Sequence, residues 1–241
     1  MGEMSDDQVG TLLLAGGAEF GGGMQIPDRH IINLAGGESA RISIIPAAAA
    51  PDNNHQRAGN NGAVWFRQLG ATDVKVLPLI DRTSADNYEI IADLQRSSLI
   101  YLLGGFPHYL EKSLSGSLSW KALRDVYHRG GVVAGSSAGA MVLCEYYYNP
   151  SSRAVIKGLG LLPGTCFLPH HNDFGKTWVP EVIRLNPQIV LIGVDEETAI
   201  ISEESINDWT VYGKGSATIY QSSITDVYQN GERFRLFQQK V

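Results

Sequence analysis

Residues 131–140 read Gly-Val-Val-Ala-Gly-Ser-Ser-Ala-Gly-Ala, and this stretch decides the fold class. A short apolar run leads into Gly-Ser-Ser-Ala-Gly at 135–139, and the apolar stretch 140–144 that follows can start a helix. The pentapeptide matches G-x-S-x-G, the sharp strand-to-helix turn that carries a nucleophilic serine. Its small residues suit that turn, because larger side chains would collide with the neighbouring strand or helix. A phosphate-binding turn or a merely tight turn at a helix start is the alternative.

Working outward, short apolar runs alternate with stretches of helical spacing through the first half of the chain. The runs end in Gly, Pro or a polar turn and are typical of strands buried on both faces of a parallel sheet; they cover 11–15, 41–45, 74–79, 99–103 and 131–134. The predicted helices cover 60–69, 84–96 and 117–129, with Ser84 and Ser117 as candidate N-caps. The alternation predicts a three-layer, doubly wound α/β fold with a mostly parallel sheet.

The pattern of apolar residues changes after about residue 185, where the apolar runs become short and strand-like. They cover 189–194, 198–201, 209–212, 217–220, 223–228 and 233–237. Asn230-Gly231, between the last two runs, predicts a hairpin turn. We find no linker long enough to separate domains, so we expect residues 1–241 to form one domain to which these extra C-terminal strands are added.

Composition excludes several classes of protein. The 241 residues are 44% hydrophobic and 18% charged, which is typical of a globular protein. A net charge of −6 without any basic block argues against a nucleic-acid partner. Cys144 and Cys166 stand apart from any ligand cluster, so neither a metal site nor a cofactor is expected. The acidic residues 1–10 lack a signal-peptide stretch and no apolar run is long enough to span a membrane, so a cytoplasmic location is expected.

The elbow would hold Ser137 at the carboxyl edge of the sheet as a nucleophile. The N–H of Ala138, at a helix N-terminus, would then point at an oxyanion formed on the serine. A second glycine pair, Gly104-Gly105, follows another apolar run. Because both turns would lie at the carboxyl ends of parallel strands, the N–H of Gly105 is the candidate second oxyanion donor.

A nucleophilic serine needs a base, and the chain has six histidines. The pair in Leu-Pro-His-His-Asn-Asp-Phe-Gly, residues 168–175, lies in a polar loop after an apolar stretch, which favours His170 or His171 as the base. His108 follows the Gly104-Gly105 edge and could line the site. The acid that orients the base would come from Asp195, Glu196 or Glu197, which end the most apolar run of the chain. A solvated turn between two strands is the alternative for these carboxylates.

Chain order then separates fold families. In α/β-hydrolases the order is serine, acid, histidine. Here no histidine follows His171, so the available order is serine, histidine, acid, which disfavours an ordinary lipase or esterase scaffold.

With these residues in hand, the sequence resembles the serine peptidase family that contains cyanophycinase and the aspartyl dipeptidase peptidase E. The matching segments are LLLAGG near the start, LIYLLGG, GSSAGA at the elbow, the Pro-His segment and GVDEETA, in the family's order. The resemblance implies a fold like that of the class I glutamine amidotransferases. It also implies Ser137 as nucleophile, His170 as general base and Glu196 as the acid that orients it.

Two departures leave the substrate open. Phe106-Pro107 follows the glycine pair where cyanophycinases carry Asp-Gln, and a single arginine, Arg184, lies in the segment after the histidine where they carry closely spaced arginines. Gly104, Phe106, His108, His171 and Arg184 are the candidate substrate-binding residues. We therefore predict a serine peptidase for a peptide or isopeptide bond in a small, including aspartyl, substrate, acting as a monomer or a homodimer.

Three other functions remain as alternatives. A serine esterase or acyl transferase with the same residues would prefer short acyl esters, and a non-enzymatic ligand-binding relative would keep the elbow only as a turn. A glutamine-amidotransferase-like domain ranks last, because that chemistry uses a cysteine and neither cysteine lies on the elbow.

Overall fold

The computed structural model describes residues 10–203, 205–222 and 224–236. The terminal segment 1–9, on which the expected location partly rests, lies outside this range, as do Ser223 and Phe237 at the ends of two predicted strands. Among the described residues, none of the helices combines the length and the apolar character needed to cross a membrane.

Strands and helices alternate through the first part of the chain, and strands dominate the second. The strands are β1 (Thr11–Ala15), β2 (Arg41–Ile45), β3 (Asp73–Val76), β4 (Leu99–Leu102), β5 (Val132–Ser136), β6 (Cys144–Asn149), β7 (Ala154–Lys157), β8 (Leu162–Leu168), β9 (Val190–Val194), β10 (Thr198–Ser202), β11 (Asp208–Gly213), β12 (Ser216–Gln221), β13 (Ile224–Gln229) and β14 (Arg233–Arg235). The α-helices are α1 (Gln25–Leu34), α2 (His55–Gln68), α3 (Tyr88–Arg96), α4 (Pro107–Leu114), α5 (Leu118–His128), α6 (Ala138–Leu143) and α7 (Val179–Leu185).

An eight-stranded sheet forms the centre of the fold, in the order β14-β11-β10-β1-β5-β4-β2-β3. The five strands from β1 to β3 in that order run parallel, and each of the other three pairs antiparallel with its neighbour. Ile31 and Phe66 of α1 and α2 are buried against one face, while Leu94 and Leu123 of α3 and α5 belong to the cluster on the other. Helices therefore cover both faces, which confirms the predicted three-layer α/β class.

A second, six-stranded sheet follows the order β13-β12-β9-β8-β6-β7. Its strand β8 runs parallel to both neighbours, β6 and β9, and the remaining pairs are antiparallel. Phe167 and Ile192 of this sheet share one buried cluster with Leu14 and Val133 of the first sheet. The sequence predicted extra C-terminal strands, but not that part of them would form a separate sheet with β6, β7 and β8.

The turn at Asn230-Gly231 is present, but the hairpin predicted around it is wrong. The strand before the turn, β13, pairs with β12 in the second sheet, and the strand after it, β14, pairs with β11 in the first. Gly231 takes a positive φ of 83° and its N–H bonds to Val211 of β11 rather than across a hairpin. The turn thus carries the chain from one sheet to the other.

One predicted helix start shifts for a local reason, and another is confirmed. The helix expected from Ser84 begins at Tyr88, because Asn87 is the residue whose side chain accepts from the first free N–H groups, at 2.8 Å for Glu89. The Ser84 hydroxyl instead accepts from the N–H groups of Ile80 and Asp81 in the preceding turn. The predicted N-cap Ser117 is confirmed, since its hydroxyl accepts from the Trp120 N–H at 3.0 Å.

Candidate active site

The candidate site lies where strands of both sheets end. Ser137 follows β5, the Gly104-Gly105 pair follows β4 by one residue, and His170 follows β8 by one residue. Glu196 comes shortly after β9, which is parallel to β8. Because parallel strands end at the same edge, this topology brings residues that are distant in sequence to one place.

Backbone crowding holds Ser137 in the elbow. The residue takes φ 47° and ψ −110°, a conformation that side chains rarely adopt, and its N–H donates to the Ala15 carbonyl at 2.9 Å. A Cβ on Gly135 would lie 2.5 Å from the Gly139 carbonyl carbon, and one on Gly139 would lie 2.3 Å from the Leu102 carbonyl oxygen. Glycine is required at both positions because backbone atoms occupy the space of a side chain.

The two expected oxyanion donors flank the serine. Ala138 is the first residue of α6, directly after Ser137. Gly105 takes a positive φ of 138°, and a Cβ there would lie 2.2 Å from the Ala48 carbonyl oxygen. The tight approach fixes the orientation of the Gly104-Gly105 turn beside the elbow. Neither the Gly105 nor the Ala138 N–H has a hydrogen-bond partner within the described part of the chain.

His170 connects the serine to a carboxylate. Its Nε2 lies 3.0 Å from Ser137 Oγ, and its Nδ1 lies 2.7 Å from Glu196 Oε1. An ionised carboxylate can only accept, so it favours the hydrogen on Nδ1 and leaves Nε2 free to accept from the serine hydroxyl. The side chain of His170 is 20% exposed, so the pair is shielded but open to a ligand.

Several contacts hold the His170 ring in this position. Its backbone N–H donates to the Gly16 carbonyl at 2.7 Å, and its ring stacks on Phe174 with centroids 4.8 Å apart. A Cβ on Gly17 would lie 2.3 Å from the ring, so a glycine is needed there for the ring to occupy its place. The glycine pair after β1 therefore has a structural role at the site.

The three consecutive carboxylates have different partners. Asp195 accepts from the N–H and the hydroxyl of Ser216, both at 2.8 Å. Glu197 pairs with Lys214 at 2.5 Å and accepts from the Gly23 N–H at 2.7 Å, and these contacts hold its pKa below the usual range. Glu196 alone reaches His170. Its own N–H donates to the Asn172 side chain at 3.0 Å, which ties the acid loop to the histidine loop.

His171 is buried, contrary to the prediction that it contacts substrate. Its side chain is 5% exposed, its Nε2 lies 3.0 Å from the Tyr220 hydroxyl, and its Nδ1 lies 3.6 Å from Asp195. Burial lowers its pKa, which favours the neutral ring. His171 therefore packs between the loops rather than facing a ligand.

The other substrate-binding candidates differ in surroundings. Phe106 is 44% exposed and directly follows Gly105, so its ring is open to a ligand. The His108 Nδ1 lies 2.9 Å from the Tyr147 hydroxyl on β6. Arg184 is exposed on α7, where its guanidinium bonds to Glu181 of the same helix at 3.0 Å. Their roles toward a substrate stay predictions.

Comparison with known proteins shows the family of the chain. The family model described as Peptidase family S51 matches residues 12–208. The chain belongs to peptidase family S51. It is similar to a cyanophycinase from Nostoc sp., 30% identical over 226 residues that cover 87% of this chain and 72% of the relative. It is also similar to a cyanophycinase from Geminocystis herdmanii, 28% identical over 92% of this chain and 84% of the relative.

A solved structure shares the fold of this S51 chain. It is a peptidase from an acI-B1 Actinobacterium, with a TM-score of 0.86 and 28% identity, and the match covers 95% of this chain and 98% of that one. Together these similarities establish the protein as a peptidase, and so as a hydrolase, of the family to which the sequence motifs pointed.

Sequence reasoning missed one carboxyl of this S51 site. Glu19 follows β1, and its two oxygens accept from the Gly104 N–H at 3.4 and 3.3 Å. Burial raises its pKa to about 7. The position of Glu19, two residues after the Gly16-Gly17 pair, was the available signal, since that pair follows a buried strand in the same way as Gly104-Gly105.

Proposed function

We propose that this protein is a serine peptidase that hydrolyses a peptide or isopeptide bond in a small substrate, aspartyl peptides included, through Ser137, His170 and Glu196. The observation that carries the proposal is the unbroken pair of hydrogen bonds, 3.0 Å from the serine to the histidine and 2.7 Å from the histidine to the acid. Nucleophile, base and orienting acid at such distances are the arrangement required for acyl transfer.

In the proposed mechanism Ser137 Oγ attacks the scissile carbonyl while His170 Nε2 takes its proton. The charge that develops on the imidazole is stabilised by Glu196, and the oxyanion accepts hydrogen bonds from the N–H groups of Gly105 and Ala138. His170 then returns the proton to the leaving amine, and an acyl-enzyme remains on Ser137. A water deprotonated by His170 attacks this ester, which releases the acid and restores the serine.

The relatives named cyanophycinase direct the substrate search without deciding it. Aspartyl and β-aspartyl dipeptides are the first compounds to test, and cyanophycin is the natural comparison. Short acyl esters are tested beside them, because the same residues on a non-peptide acyl group would make the protein an esterase.

The experiment that tests the proposal is labelling with a fluorophosphonate probe, with the modified peptide identified by mass spectrometry. We expect label on Ser137 in the unaltered protein and in His128→Ala, an exposed histidine that serves as the matched control. We expect none on Ser137→Ala and a loss of at least a hundredfold in labelling rate for His170→Ala. An unlabelled but folded protein would overturn the activated serine and favour a ligand-binding module.

A further inference from the structure

Glu19 lies on the other side of the glycine that touches the nucleophile. A Cβ on Gly104 would be 3.4 Å from Ser137 Cβ and 3.5 Å from Glu19 Oε1. The carboxyl group and the serine therefore flank the same small residue. Glu19 is half-buried, so a bound substrate that reaches Ser137 has access to it.

The surroundings of Glu19 are apolar and carry an excess of acid. The ring of the adjacent Phe20 lies 5.8 Å from that of Tyr101. Asp28 is fully buried beside them; its Oδ2 accepts from the Trp65 indole N–H at 2.8 Å, and its Oδ1 has no partner in the part of the chain that the structure describes. Burial raises the pKa of the Tyr101 hydroxyl, and the neighbouring Asp28 and Glu19 carboxyls add to the effect. Two carboxyl groups thus share one poorly solvated pocket.

The groups nearest to Glu19 are neutral. Ser136 and Tyr101 are fully buried beside it, and a hydrogen bond from the Ser136 hydroxyl lowers the pKa of Glu19 against the larger, opposite effect of burial. The Gly104 N–H, at 3.3 to 3.4 Å, is a long bond for a carboxylate. Glu19 therefore has neutral hydrogen-bond donors beside it, but no positive charge among the described residues pairs with it.

Glu197, in the same region, is an acid whose charge is balanced by a lysine. It is close to Gly22 and Gly23, a few residues after Glu19, and it is neutralised by Lys214 at 2.5 Å. Within residues 10–203, 205–222 and 224–236, no lysine or arginine pairs with Glu19 or with Asp28. A cation brought by a ligand would stabilise the ionised form of Glu19, because an opposite charge favours the charged state of a buried carboxyl.

We propose that Glu19 is a subsite for a positively charged group of the substrate, an ammonium or a guanidinium, held beside the scissile bond. The proposal rests on the proposed function, in which Ser137 is the nucleophile, but the binding experiment below does not depend on that role. Glu19 and not Asp28 makes the contact, because only Glu19 is reachable from outside. The nearby Asp28 carboxyl adds to the negative potential behind it.

The pH dependence of binding follows from the protonation state of Glu19. Its pKa of about 7 means that the carboxyl is neutral at pH 6 and charged at pH 8. A cation that stays charged over this range, such as a lysine or arginine side chain, binds the charged form, so its affinity rises as the pH increases through 7 and becomes constant above it. An α-ammonium loses its own proton at about pH 8, so its affinity falls again above that pH.

The test measures binding to Ser137→Ala, which has no nucleophile, by nuclear magnetic resonance of the Gly104 amide at pH 8. The ligands are alaninamide with an α-ammonium, Nα-acetyl-lysine amide and Nα-acetyl-arginine amide with side-chain cations, and neutral Nα-acetyl-alaninamide. We expect at least one cationic ligand to bind at least tenfold more tightly than the neutral one, and which one does so identifies the source of the charge. The preference should shrink at pH 6.

The decisive variant is Glu19→Gln in the same background. Glutamine keeps an oxygen that accepts from the Gly104 N–H but removes the charge, so we expect the cation preference to disappear while the neutral ligand binds as before. Glu38→Gln, an exposed acid, should leave the preference intact. Equal binding of cationic and neutral ligands, a preference that survives Glu19→Gln, or one that does not change between pH 6 and 8 would each overturn the proposal. Fluorophosphonate labelling of the unaltered protein tests the role of Ser137 separately.

Discussion

At the level of single residues, the contact with His170 distinguishes Glu196 from its acidic neighbours Asp195 and Glu197. Only its carboxylate contacts His170, at 2.7 Å, while Glu197 contacts Lys214. Glu196→Gln keeps the shape but removes the charge that stabilises the protonated imidazole, and its amide can force the wrong tautomer. We expect a loss of about 10²- to 10⁴-fold in the rate of fluorophosphonate labelling, and of kcat/KM once a substrate is known.

Glu197→Gln is the matched control for this prediction. It makes the same chemical change one residue along the chain, and its expected effect on the labelling rate is less than tenfold. Equal losses in the two variants would show that the acid loop as a whole matters, and would remove the special role of Glu196.

At the scale of elements, the junction between β5 and α6 depends on close backbone packing. A Cβ on Gly139 would lie 2.3 Å from the carbonyl oxygen of Leu102 on β4, which cannot move without disturbing the parallel sheet. Gly139→Ala should therefore reduce the free energy of unfolding by about 1 to 3 kcal/mol, as overpacking does in other cores. Urea denaturation measures this change.

Gly21→Ala is the control for the element-scale prediction. Gly21 has an ordinary φ of −145°, and the nearest atom to an added Cβ is 3.8 Å away. We expect a change of less than about 0.5 kcal/mol there. If Gly139→Ala were as stable as Gly21→Ala, the close contact of α6 with β4 would not require glycine at position 139.

At the scale of the whole molecule, a buried acid makes stability depend on pH. Asp28 on α1 bonds to Trp65 of α2, and burial raises its pKa from 3.8 to about 7. The stability associated with its protonated form is complete below pH 3.8 and is lost as the pH rises through 7. Asp28→Asn has no such loss. Between pH 5 and 8 the difference in unfolding free energy between the variant and the unaltered protein should therefore shift in favour of the variant, by on the order of 2 kcal/mol.

Asp73→Asn provides the comparison for this pH effect. Asp73 is half exposed and pairs with Arg41 at the surface, where an ion pair contributes little. Its unfolding free energy relative to the unaltered protein should hardly change between pH 5 and 8. A constant difference for Asp28→Asn over the same range would contradict the burial of a raised-pKa carboxyl.

Features that depend on neighbours along the chain could be predicted from the amino-acid sequence. The five parallel strands, the capped helix after Ser117 and the Gly-Ser-Ser-Ala-Gly elbow could be predicted, because apolar runs, caps and tight turns are set by local sterics and hydrogen bonds. The serine-histidine-acid order and the family motifs also needed no structure. Both kinds of information pointed to a peptidase before any contact was known.

Contacts between residues that are far apart in sequence could be seen only in the tertiary structure. It showed which of the three carboxylates at 195–197 faces His170, that Asn230-Gly231 joins two sheets instead of closing a hairpin, and that His171 is buried. It also revealed Glu19 beside Gly104, a contact across 85 positions of the chain. Strand pairing and the burial of a carboxyl depend on residues far apart in sequence, so no local pattern carries them.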